Sequence, residues 1–134
     1  MEFIVPILNV KVSAKRSSEM TRKISSTLSE ITKRVLGKDP NVTAIAIDYV
    51  NPEDWVVGGR TLAQQSKNSV YFDIKITDET NTKAEKETYI REAFAAFATL
   101  LGELHEESYI YVQDVRGSAY GYGGKTQEYR YQHR

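Results

Sequence analysis

Between Phe3 and Val12 the chain is rich in β-branched and apolar residues, and Leu8, Val10 and Val12 alternate with Asn9 and Lys11. A period of two predicts a half-buried strand. From Ser17 the period lengthens, with Met20, Ile24, Leu28, Ile31 and Val35 recurring three or four residues apart, which sets one apolar stripe along a helix. Ser17 suits the N-cap, Glu19 falls in the first turn, and Gly37 supplies a left-handed stop. After the turn Asp39-Pro40-Asn41, a second strand is expected over Val42 to Val50. Strand, long crossover and strand make a βαβ unit, whose two strands should be parallel with a right-handed connection.

The same order then returns. Val70 to Ile76 reads as a strand, Ile90, Phe94, Phe97 and Leu101 fall on one face of a helix, and Tyr109 to Val115 reads as a strand. Thr82 and Glu85 have capping-box spacing, and Gly102 mirrors Gly37. The letters repeat as well. IAIDYV, four residues and WVVGGRT run from Ile45 to Thr61; IYVQDV, four residues and YGYGGKT run from Ile110 to Thr126, 65 positions later. Such self-similarity marks a duplicated unit. One domain over 1–134 is expected, with unit one over about 3–61, unit two over about 69–126 and a polar tail over 127–134. The linker from Asn51 to Asn68 is too long for a turn, so it should hold a short hairpin or a functional segment. The fold class is α+β, a four-stranded sheet with two helices on one face. A ferredoxin-like single sheet and a duplicated βαβ sheet that builds symmetric oligomers both satisfy it.

Composition narrows the chemistry. In 134 residues Lys plus Arg and Asp plus Glu number 18 each, so no net field favours nucleic acid or an acidic membrane, and neither is expected as a partner. Cysteine is absent, which removes disulfides, thiol nucleophiles and thiolate metal sites. No apolar stretch approaches the roughly 20 residues of a membrane span, so a cytoplasmic protein is the expectation. His105 and His133 stand apart, without metal-ligand spacing or a nucleophile partner. Neither a metal nor a cofactor is expected.

Several elements taken in order resemble the tautomerase superfamily, specifically its fused 4-oxalocrotonate tautomerase-like members with two βαβ units in one chain. They are PILNVKVSAKRS from Pro6 to Ser17, the helix that follows, the strand Val42 to Val50, and the aromatic-x-x-Gly-Gly elements at Trp55 to Gly59 and Tyr120 to Gly124. The resemblance covers nearly the whole chain. It implies a tautomerase/MIF-like sheet, a homotrimer, no cofactor, and a small enol or keto acid as substrate. It also implies Pro6 as the catalytic residue, Arg16 as the grip on a substrate carboxylate or carbonyl, and Trp55 as a pocket wall. A free secondary amine can serve in turn as general base and general acid once an apolar pocket and nearby cations depress its pKa, and a guanidinium fork suits two oxygens.

Three departures qualify that picture. Pro6 follows five residues, and an acylated proline nitrogen has no useful basicity. A translation start at Val5, read as methionine and then removed, frees Pro6, whereas a chain intact from Met1 silences it. Thr43 stands where many family members carry another arginine; its charge is supplied by Arg60 or another subunit, or is absent. At the 65-residue offset the second unit has Tyr71 for Pro6 and Asn81 for Arg16, so one site per chain is expected.

Other readings remain open. Pro6 also suits a strand start, Arg16 a solvated ion pair, Trp55 a packing position, and the glycine pairs turns with positive φ. Tyr120, Tyr122, Tyr129 and Tyr131 read as interface packing. The functional alternatives to a tautomerase are a hydratase or dehalogenase using Glu53 or Asp54 to activate water, and a catalytically silent oligomeric binding protein.

Overall fold

The computed structural model describes residues 6–133; the strand start expected at Phe3 and the translation start considered at Val5 lie outside them. The first unit consists of β1 (Ile7–Val12), α1 (Ser18–Leu36) and β2 (Ala44–Tyr49). A short hairpin, β3 (Val56–Val57) and β4 (Arg60–Thr61), runs into α2 (Leu62–Gln65). The second unit repeats the plan with β5 (Val70–Thr77), α3 (Lys83–Leu101) and β6 (Tyr109–Val115), followed by β7 (Gly121–Tyr122), β8 (Lys125–Thr126) and α4 (Gln127–Gln132). The linker therefore holds a hairpin and a helical turn, and residues 121–132 are their copy.

The main sheet has the order β2-β1-β5-β6. Each βαβ pair is parallel and directly adjacent, and the two units meet along the antiparallel β1–β5 seam, where Leu8 faces Ile74 and Val12 faces Val70. A ferredoxin-like sheet would split each βαβ unit around a strand of the other, so this order leaves only the duplicated-unit arrangement.

Alternation sends Leu8, Val10 and Val12 of β1 and Val70, Phe72, Ile74 and Ile76 of β5 to the helix side, all fully buried. Ile24, Leu28 and Ile31 of α1 meet Tyr89, Ala93 and Phe97 of α3 above them. The α1 stripe follows the expected spacing, but that of α3 is rotated: Tyr89 and Ala93 are buried, whereas Ile90 is 38% exposed. Tyr89 takes the core position because its hydroxyl finds a partner there, the Thr32 hydroxyl at 2.8 Å, which removes the cost of an unpaired buried polar group. Arg34 ties the helices across their outer rim, 2.6 Å from Glu92 and 2.7 Å from Glu30. Among the described residues no helix is long and apolar enough to cross a membrane.

Candidate active site

Pro6 is buried at the head of β1, where its carbonyl accepts from the Ala44 amide at 3.1 Å. Arg16 lies beyond the other end of that strand. Six residues at about 3.3 Å each put about 20 Å between the two ends, so one chain does not bring Pro6 and Arg16 together. Trp55 and Arg60 also sit at the far edge. The Val50 amide donates to Val12 at 2.8 Å where β2 leaves the sheet, and the Leu62 amide donates to Trp55 at 2.8 Å to close the hairpin. Trp55 is half-buried, while Arg16 and Arg60 are exposed.

The antiparallel seam delivers other residues to the Pro6 edge. Continuing the β1–β5 register sets Pro6 across from Ile76, next to the C-terminal ends of β5 and β6. Here the Tyr120 hydroxyl meets that of Thr77 at 2.8 Å. Lys38, only 2% exposed, leaves the end of α1 and donates to the Thr80 hydroxyl at 3.2 Å. Asn81 donates to the Leu36 carbonyl at 2.9 Å, fixing the loop after β5 against the end of α1. The β7–β8 hairpin adds Lys125, and a shallow cleft of about 340 Å³ runs between Ser118 and Thr126 along it. Burial pushes the Tyr120 hydroxyl up from its ordinary range, against the opposing effect of hydrogen bonds with Thr77 and Gln127. At neutral pH it is a proton-bearing donor.

The register also corrects the copy-to-copy correspondence. Ile7 pairs with Ala44, and the residue paired with Tyr109, the counterpart of Ala44, is Tyr71. The counterpart of Pro6 is therefore Val70, not Tyr71. Val70 is chain-internal, and its amide donates to the Ser108 hydroxyl at 3.3 Å. Around it Ser13 and Ser69 are buried and mutually bonded, with the Ser69 amide 2.8 Å from the Ser13 hydroxyl. The Arg16–Trp55–Arg60 edge thus has a sealed strand head where the other edge has a proline.

Lys38 was missed by sequence reasoning because its burial depends on α3 and the loop from Thr77 to Asn81, which no local pattern reports. Tyr120 carried a usable signal, since it is the 65-residue counterpart of Trp55.

Residues 6–65 match the family model described as tautomerase enzyme. No curated protein matches the chain by sequence. Solved structures with the same fold include a wild-type fused 4-OT asymmetric trimer, at 18% identity over 92% of this chain and 98% of that one, with a TM-score of 0.75. Leishmania major MIF2 aligns at 18% identity over 91% and 97%, with a TM-score of 0.74. A malonate semialdehyde decarboxylase inhibited by 3-bromopropiolate aligns at 14% identity over 96% and 97%, with a TM-score of 0.71. The first βαβ unit and the hairpin after it thus match the tautomerase family model, and the whole chain has the fold of the fused 4-OT proteins.

Proposed function

We propose that the protein is a keto-enol tautomerase of a small α-keto or enol acid, with Pro6 as general acid and base. The observation that carries this reading is a buried proline at the head of a central strand, on the edge that also holds the buried cation Lys38 and the Tyr120 hydroxyl. With a free nitrogen, Pro6 takes the proton from the enol oxygen or from the carbon beside the carbonyl and returns it at the other position, so the substrate gains and loses one proton overall. Lys38 and Lys125 supply positive charge for the substrate carboxylate. Tyr120 donates to the oxygen on which negative charge develops. Arg16, Trp55 and Arg60 can join such a pocket only across a subunit boundary.

The outer sheet face supports a homotrimer. Ile7, Tyr109 and Tyr111 are each about half exposed on it, at 50%, 46% and 46%, and Tyr111 packs against Tyr71 and Tyr109 with ring centres 5.8 and 6.4 Å away. An aromatic cluster of this kind, beside the Lys75–Asp73 ion pair on the same face, is suited to burial between copies. The fused 4-OT protein of the same fold is described as a trimer. Hydration or dehalogenation is less well supported, because Glu53 and Asp54 lie exposed in the turn Pro52–Asp54, on the edge away from Pro6.

The test compares a chain beginning at Pro6 with one beginning at Met1, using phenylenolpyruvate and 2-hydroxymuconate as probes. Turnover by the first and not the second is expected. Equal turnover by both would overturn proline catalysis, and none by either would overturn it and leave the silent binding protein.

A further inference from the structure

The two hairpins are built alike and fastened differently. Gly58-Gly59 and Gly123-Gly124 all have positive φ, between 61° and 80°, as a two-residue turn with both central residues left-handed requires. Two-residue strands are too short to hold such a hairpin alone. In each copy a threonine caps the following helix, Thr61 through the Gln64 amide and Thr126 through the Tyr129 amide. One turn on, a side chain reaches back to the hairpin. Gln65 Nε2 donates to the Val57 carbonyl at 2.9 Å and to the Arg60 carbonyl at 3.1 Å. Its 65-residue counterpart Arg130 donates through Nε and Nη2 to the Tyr122 carbonyl, at 3.2 and 3.0 Å. Val57 and Tyr122 are themselves counterparts, so the same backbone acceptor is held from the same helical position by different chemistry.

Resting on the tautomerase reading above, we infer that Arg130 is a positioning residue that clamps the β7–β8 hairpin and so sets Tyr120 and Lys125 at the Pro6 edge. Its guanidinium lies over the Tyr122 ring at 3.9 Å and beneath the turn, where a Cβ on Gly123 would come within 2.6 Å of Nη2. Clamp and turn therefore interlock. The Gln127 amide donates to the Tyr120 carbonyl at 2.9 Å and the Glu128 amide to the Gly117 carbonyl at 2.9 Å, which joins α4 to the segment that carries Tyr120. Nothing comparable crowds Gly58.

Because Gln65 does the same task in the first copy, the structure supplies its own conservative substitute. In the full chain, Arg130→Ala should speed hydrogen exchange of the 121–126 amides about tenfold, the effect of losing a charge-assisted bond pair, and Arg130→Gln should restore most of that protection. In the form with turnover, Arg130→Ala should raise KM several-fold more than it lowers kcat, and Arg130→Gln should recover both. Unchanged exchange in Arg130→Ala, or no recovery in Arg130→Gln, would overturn the clamp. If Arg130→Gln recovers exchange but not KM, Arg130 meets the substrate directly and the positioning role is wrong. The exchange measurement decides the clamp even in a protein without turnover, so its failure is distinguishable from failure of the tautomerase reading.

Discussion

The two edges of the sheet are related by duplication, yet they carry different side chains, and the site residues expected from the sequence divide between them. One edge has Pro6, Lys38 and Tyr120; the other has Arg16, Trp55, Arg60 and the sealed head of β5 at Val70. Antiparallel pairing of β1 with β5 is the cause, since it puts the start of one unit beside the end of the other. Fusion of two units therefore makes each edge a composite of both. Val70 is chain-internal whether the chain begins at Met1 or at Pro6, so under the proposed function a free amine belongs to the Pro6 edge alone.

The largest contrast lies in that amine. Retaining residues 1–5 should cost about 10²–10⁴-fold in kcat/KM, the usual worth of a positioned acid–base group, whereas Val70→Pro should gain no rate because its nitrogen stays an amide. Steady-state kinetics on the two proteins reads this directly, and a rate gained by Val70→Pro would break the contrast between the edges.

A smaller contrast separates the two hairpins. Gly58→Ala and Gly123→Ala each force a side chain into a left-handed conformation, at a cost of about 1–2 kcal/mol, but only Gly123→Ala also collides with Arg130. Urea unfolding should show Gly123→Ala as the less stable of the two. Equal midpoints would mean that Arg130 moves aside freely and that the hairpins are fastened alike.

The smallest contrast is at the helix starts. Thr82 and Glu85 form a reciprocal capping box on α3, while α1 has Ser17 alone. Hydrogen bonds from the Thr82 backbone and the Asn81 side chain hold the Glu85 carboxyl below its ordinary range. A carboxyl so depressed contributes stability above its unfolded pKa and loses it as pH falls through the folded value. Midpoints of wild type and Glu85→Gln should therefore differ near neutrality and converge in acid. A constant gap would show that the charge of Glu85 plays no part.

How much of this was visible in the sequence follows from the range of the interactions. Periods of two and of three to four residues located both βαβ units, and the repeat fixed their correspondence to within one residue. That residue mattered: the β5–β6 register made Val70 rather than Tyr71 the counterpart of Pro6. The grouping of Arg16, Trp55 and Arg60 on one edge was legible from their attachment to the ends of β1 and β2. Which residues of the second unit reach the Pro6 edge was not, because that depends on strand direction across the seam. Tyr89 displaced Ile90 from the core for a similar reason, a hydroxyl partner on another helix.

The central claim is that the Pro6 edge is completed by Lys38 and the second unit rather than by Arg16, whether of the same chain or of a neighbouring copy. Measuring kcat/KM for Lys38→Ala and Arg16→Ala in the chain beginning at Pro6 tests it most directly. Loss of a charge-assisted contact to a substrate carboxylate is worth about tenfold or more, so Lys38→Ala should fall by that much while Arg16→Ala stays within about threefold, and Lys38→Arg should recover part of the loss. A fall on Arg16→Ala that exceeds the fall on Lys38→Ala would contradict the account.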